Sequence, residues 1–183
     1  MKNKYIVIGN PIEHSLSPKL HNYWLKKNNI DAIYDKKKLE EKDLKSIISE
    51  VKEEKIKGIN VTVPFKKAVI PFLDKLSPEA KETHSVNTIY LQNGTTIGHN
   101  TDIAGFELAI KYAKYDVSNK KIFILGAGGV SPSIIYSLKK MNAAKITLTN
   151  RTKEKAERLK NLFKDIEIVE WGETRDFDMI INA

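Results

Sequence analysis

Cysteine is absent from the 183 residues, which excludes disulfides, thiolate catalysis and cysteine-ligated metal and permits a reducing compartment. Long apolar runs are missing too. The run Tyr5-Ile6-Val7-Ile8 is too short for a signal-peptide core, and no later stretch approaches the length of a membrane span. Arginine is confined to Arg151, Arg158 and Arg175, and no aromatic and basic platform for stacking bases exists, so the net charge of +8 is not read as a nucleic-acid surface. The excess charge is lysine interleaved with glutamate, as from Lys36 to Lys57 and from Lys153 to Lys164, a pattern of solvated helical faces. The expectation is a soluble, cytoplasmic protein without nucleic-acid or membrane partners. Hydrophobic residues make up 41% of the chain, enough for one domain plus part of another.

What is present is organised around Asn60-Val61-Thr62-Val63-Pro64-Phe65-Lys66. Val61 and Val63 alternate with Thr62 as in a short strand, and Pro64 removes a backbone donor and stops the ladder. Lys66 is thereby fixed just past a strand end. Partial burial there would lower the ammonium pKa and let it exchange a proton near neutral pH; a solvated lysine is the plain alternative.

Upstream, Tyr5 to Ile8 reads as a buried strand ended by Gly9-Asn10-Pro11. In His14-Ser15-Leu16-Ser17-Pro18, Ser17 suits an N-cap and Pro18 a first helical position, with Leu20, Tyr23 and Trp24 as the inner face and Asn28-Asn29 as the end. Two serines at a helix N-terminus offer hydroxyls beside backbone N–H groups to a carboxylate or phosphate, unless Ser17 only caps. Leu44, Ile47, Ile48 and Val51 recur at helical spacing, predicting an amphipathic helix within Glu40 to Lys55. Helical segments interrupted by Pro71 and Pro78 lead to a strand from Ser85 to Leu91. Asn93-Gly94 then gives a hairpin turn, with Thr95 to Gly98 returning. This alternation predicts an α/β domain with a mixed sheet. Asp102 opens a stripe of Ile103, Phe106 and Ile110, where an acid in the first turn is favoured by the helix dipole alone. His99 is read as a polar bystander.

After Tyr115 the pattern restarts. A strand from Lys121 to Leu125 runs into Gly126-Ala127-Gly128-Gly129-Val130-Ser131 and an apolar helix through Ile134, Ile135 and Leu138, and a second strand follows from Lys145 to Thr149. This is the first turn of a dinucleotide-binding βαβ unit, with Ser131 in place of the third glycine or alanine. Where an NAD site has an acid for the ribose hydroxyls, this chain has Asn150-Arg151-Thr152 with Lys155 behind, which suits the 2′-phosphate of NADP. Ile166 to Val169 and Met179 to Ile181 read as further strands.

Gly9-Asn10-Pro11-Ile12 with His14 to Pro18, Asn60 to Lys66, Val86-Asn87-Thr88, Asn100-Thr101-Asp102, Gly126 to Gly129 and Asn150 to Thr152, in this order, resemble the shikimate dehydrogenase family along the whole chain. The resemblance implies an N-terminal α/β substrate-binding and catalytic domain over residues 1–101 and an incomplete Rossmann-type NADP-binding domain over residues 102–183. It implies reversible NADPH-dependent reduction of 3-dehydroshikimate to shikimate. Ser15 and Ser17 would bind the substrate carboxylate; Thr62, Asn87 and Asp102 its hydroxyl groups; Lys66 and Asp102 would be the catalytic pair. Cofactor contacts would fall on Gly126, Ala127, Gly128, Gly129, Val130, Asn150, Arg151, Thr152 and Lys155.

Two departures stand out: His84-Ser85 where the family often has Gly-Ala, and Lys155 where arginine is frequent. Family members continue well past Ala183, so the chain is expected to be a C-terminally truncated fragment with an unpaired side to its nucleotide sheet and little turnover alone. The resemblance further suggests a monomer or homodimer. A quinate/shikimate dehydrogenase with relaxed cofactor use and a non-catalytic ligand-binding relative are the alternatives.

Overall fold

The structure is a computed structural model and describes residues 2–183. Two compact units divide between Asn100 and Thr101. The first unit contains β1 (Asn3–Gly9), α1 (Ser17–Lys27), β2 (Ala32–Lys38), α2 (Leu44–Lys52), β3 (Gly58–Val61), β4 (Lys75–Leu76), α3 (Pro78–Thr83), β5 (Thr88–Gln92) and β6 (Thr95–His99). Its sheet has the order β2-β1-β3-β5-β6-β4 and is mixed, as expected: β1 pairs in parallel with β2 and β3, whereas β3, β5 and β6 form an antiparallel run. Asn93 and Gly94 both have positive φ, the geometry of a tight hairpin turn. Ile6, Ile8, Ile59, Val61 and Ile89 bury against Leu44, Ile47, Ile48 and Val51, so the stripe read from α2 is its core face.

Three local expectations are corrected. The lysines at 36–38 do not begin a helical run; they end β2, an edge strand whose outward positions take lysine readily. The strand before Lys66 ends at Val61, leaving Thr62 to Pro64 outside the ladder and Val63 exposed. In α1, Leu20, Tyr23 and Trp24 are 47%, 60% and 48% exposed. That helix is attached by Leu25, which packs with Val7, Ile12 and Tyr34, and by polar groups: Asn22 bridges both backbone groups of Tyr34, accepting from its N–H at 2.9 Å and donating to its carbonyl at 2.7 Å, and His21 stacks on the Tyr34 ring.

The second unit contains α4 (Asp102–Tyr112), β7 (Lys121–Leu125), α5 (Ser131–Lys140), β8 (Lys145–Thr149), α6 (Lys153–Leu162), β9 (Glu167–Ile168) and β10 (Met179–Asn182). Its four strands are all parallel in the order β10-β7-β8-β9. Ile122, Ile124, Ile146 and Leu148 pack with Ile134, Ile135 and Leu138 of α5 and Ala156 and Leu159 of α6. The near-continuous apolar character of β7 and β8 follows from cover on their faces. Among the described residues, no helix is long and apolar enough to cross a membrane.

Asp74 secures the far edge of the first sheet. Its carboxylate accepts from the Thr96 N–H at 2.9 Å and the Thr96 hydroxyl at 2.8 Å, and Lys52 lies 3.3 Å away. These groups, the Thr96 N–H foremost, pull its pKa from 3.8 to about 2. A carboxyl whose folded pKa lies below its unfolded one adds stability that is complete above the unfolded value and lost as pH falls through the folded one. Thermal unfolding of Asp74→Asn should therefore depend less steeply on pH than wild type between about pH 4 and pH 2; superimposable curves would contradict this role.

Candidate active site

In the first unit, β1 and β3 run the same way and β5 runs against them, so the C-terminal ends of β1 and β3 meet the N-terminal end of β5 on one sheet edge. Backbone hydrogen bonds lace that edge together. Thr62 N–H donates to the Ile8 carbonyl at 3.0 Å, Asn10 N–H to Val63 at 3.0 Å, Val61 N–H to Asn87 at 2.8 Å and Val86 N–H to Lys66 at 2.8 Å. The peptide bonds before Pro11 and Pro64 are both cis. Phe65 and Val69 bury in the core on either side of Lys66, which leaves the lysine half-buried. Thr62, Lys66 and Asn87 thus sit on adjoining segments tied backbone to backbone.

The serines occupy the loop leaving β1. Both are half-buried at the start of α1, and the Ser17 N–H donates to Ser15 Oγ at 3.3 Å. Ser17 is not the N-cap: Leu16 holds that position in a helical conformation and no side chain caps the helix. The end of β2, absent from the sequence reading, holds this loop. Asn10 Nδ2 donates to the Leu39 carbonyl and Glu40 Oε1, Lys36 Nζ to the Glu13 carbonyl, and Lys38 pairs with Glu13 at 3.3 Å. Backbone N–H groups of Glu13 and Ile12, with Lys38, hold the Glu13 carboxyl below its usual range. His99, taken as a bystander, lies 3.7 Å from Glu79.

The missed support residues are polar side chains between strands. Asn100, fully buried, donates to Thr83 Oγ1 at 3.1 Å and the Ser85 carbonyl at 2.9 Å, tying the residues before β5 to the exit of β6. Tyr34 and Asn60 form a second such link, at 2.6 Å. Asn60, a polar residue between Ile59 and Val61 within a strand, is the one of them whose sequence context carried a signal.

In the second unit, Asp102 is the first residue of α4 and is half-buried. The glycine turn leaves β7 with Gly126 at φ +115°, and a Cβ there would lie 1.9 Å from the Ala183 carbonyl oxygen, so only glycine fits. Ser131 is buried and donates to the Gly126 carbonyl at 3.2 Å, closing the loop where the common fingerprint has a small apolar residue. Asn150 joins the two loops: its Oδ1 accepts from the Ala127 N–H at 2.9 Å and its Nδ2 donates to the Thr152 carbonyl at 2.7 Å. Its side chain therefore fixes the shape of both loops at this edge. Arg151, Thr152 and Lys155 are exposed, and no acidic side chain pairs with Arg151 among the described residues. A turn with exposed Gly128 and Gly129 at the N-terminus of α5, beside an arginine, fits a dinucleotide carrying an extra phosphate.

The chain thus carries a mixed-sheet unit with a lysine-bearing polar edge and a parallel unit whose glycine turn is of the dinucleotide-binding kind. Residues 7–89 match the shikimate dehydrogenase substrate binding domain, and residues 107–182 match shikimate / quinate 5-dehydrogenase. The NADP+-dependent shikimate dehydrogenase of Pelagibacter ubique is 57% identical over the whole chain, which covers 69% of that protein. The enzyme of the same name from Aquifex aeolicus is 45% identical over 87% of the chain and 59% of its own length. The crystal structure of Thermus thermophilus shikimate 5-dehydrogenase with NADP(H) and shikimate superimposes with a TM-score of 0.88 at 30% identity, covering 99% of this chain and 68% of that one. The chain belongs to the shikimate dehydrogenase family, and it spans about three-fifths to two-thirds of the length of these relatives.

Gly126→Ala should destabilise the protein by roughly 1–3 kcal/mol, through a strained φ and a backbone clash, in denaturant unfolding. An unchanged unfolding midpoint would mean that the turn relaxes freely.

Proposed function

We propose that the chain provides the substrate edge and the cofactor edge of an NADP-dependent shikimate dehydrogenase, which reversibly reduces 3-dehydroshikimate to shikimate on the cytoplasmic route to aromatic amino acids. The observation that carries this reading is the backbone lacing of Thr62, Lys66 and Asn87 on one sheet edge, with Ser15 and Ser17 in the loop leaving the same edge.

Each residue then has a chemical task. The Ser15 and Ser17 hydroxyls, at the start of α1, take the substrate carboxylate. Thr62, Asn87 and Asp102 hold the substrate's hydroxyl groups. Gly126 to Val130, Asn150 to Thr152 and Lys155 would hold NADPH, which would supply the hydride when bound. As the carbonyl oxygen gains negative charge, the Lys66 ammonium stabilises it and delivers the proton, while the Asp102 carboxylate orients substrate. In the reverse direction the same lysine receives the proton. Arg151 pairs with the 2′-phosphate and sets the preference for NADP over NAD.

Lys66→Ala should lower kcat by roughly 10²- to 10⁴-fold with a much smaller change in shikimate affinity, measured on the natural polypeptide that carries these residues. Unchanged turnover would end the catalytic assignment. Arg151→Ala should raise the KM for NADPH roughly 10- to 100-fold, the loss of charge-assisted hydrogen bonds, and leave NADH kinetics nearly untouched. Equal effects on both cofactors would remove Arg151 from the phosphate site.

A further inference from the structure

Lysines 36, 37 and 38 look alike in the sequence, but the edge strand that carries them gives them different partners. Side chains alternate along β2, so Lys37 faces one side of the sheet, where it pairs with Glu50 of α2 at 3.9 Å, and Tyr34, Lys36 and Lys38 share the other. Each of these three holds a point on the segment from Glu13 to Asn22. Lys36 Nζ donates to the Glu13 carbonyl, and Lys38 Nζ lies 3.3 Å from the Glu13 carboxylate. Tyr34 takes the far end: Asn22 grips its backbone, and His21 stacks on its ring with centroids 4.1 Å apart. His21 Nδ1 lies 2.9 Å from the Ser17 carbonyl, and because a carbonyl only accepts, this nitrogen carries the proton.

The held segment contains both serines. Ile12, packed with Val7 and Tyr34, anchors its start; the Ile12 N–H donates to Glu13 Oε2 at 3.0 Å and the Ile12 carbonyl accepts from the Ser15 N–H at 3.0 Å. The Ser17 N–H donates to Ser15 Oγ at 3.3 Å, and a hydroxyl that accepts there still has its own proton to give to an anion. Ser15 and Ser17 are thus fixed between Glu13 on one side and His21 on the other, and β2 holds both. A lone exposed Lys–Glu pair contributes little to stability. Two lysines on the carbonyl and the carboxylate of one loop residue act instead on where the loop lies, and a binding group displaced by about 1 Å loses much of its effect.

We propose that Lys36 and Lys38 are positioning residues which, acting through Glu13, set the placement of the Ser15 and Ser17 hydroxyls, an assignment that rests on the reading above only in that these serines take the substrate carboxylate. Neither lysine needs to touch substrate.

The test is shikimate affinity by titration calorimetry on the natural polypeptide that carries these residues. Lys36→Met, which keeps the stem and removes the donor, should weaken binding roughly 3- to 10-fold with the KM for NADPH unchanged, whereas Lys36→Arg should stay within about twofold of wild type. Lys38→Met should act in the same direction. Glu13→Ala separates placement from charge. Removing a carboxylate beside the subsite would tighten binding of an anion if charge alone mattered, whereas loss of the held residue should weaken it, again roughly 3- to 10-fold. In a background with Ser15→Ala and Ser17→Ala, Lys36→Met should cause no further loss, because its effect passes through the serines. If the serine replacements weaken binding but Lys36→Met and Glu13→Ala do not, or if Glu13→Ala tightens it, the lysines do not place the serines and the site assignment stands. If replacing both serines leaves affinity unchanged, the carboxylate is held elsewhere and both fail. Thermal unfolding of each variant separates these outcomes from misfolding.

Discussion

Parallel pairing of β1 with β3 is the constraint on which the edge carrying Thr62, Lys66 and Asn87 depends. The register Ile8↔Val61 brings the loop after β1 against the segment after β3, and the contact is close: a Cβ on Gly9 would lie 2.6 Å from Thr62 Cγ2. Glycine at that point lets the loop carrying the serines press onto the segment carrying Thr62 and Lys66. Antiparallel entry of β5 then adds Asn87 to the same edge without any long excursion of the chain. A slip of one residue between β1 and β3 would turn Val61 and Ile8 out of the core, so packing and site geometry are fixed by one register.

The second unit solves a similar problem by different means. All its strands run parallel, so the ends of β7 and β8 share an edge by topology alone. What the topology leaves free is the shape of the two loops there. Ser131 closes the first upon itself, and Asn150 fastens the first to the second.

Much of this was legible in the residues. The core stripe of α2, the hairpin at Asn93-Gly94, the mixed sheet and the strand, turn and helix around Gly126 all follow from local periodicity and turn chemistry. The misses have a common cause. β2 contributes a single buried residue, Tyr34, so it has no alternation to read, and its lysines imitate a charged helix. In α1 Leu25 is the one leucine packed on the sheet, and much of the rest of the attachment is made by His21 and Asn22, to whose hydrogen bonds and stacking a hydrophobicity pattern is blind. The links among Tyr34, Asn60, Thr88 and Asn87 join residues far apart in the chain, and strand register alone decides which of them meet. His84 shows the converse: its φ of +47° closes α3 in a left-handed conformation, a backbone geometry that glycine would adopt with less strain.

Asn150 and Arg151 are adjacent, yet the first holds loop shape by two internal hydrogen bonds and the second stands exposed with its charge. Form and charge are therefore encoded by different residues. The charged residue can be exchanged for an acidic or neutral one without breaking the hydrogen bonds that hold the turn, so the charge of this edge is open to change in single mutational steps while its shape is held by another side chain.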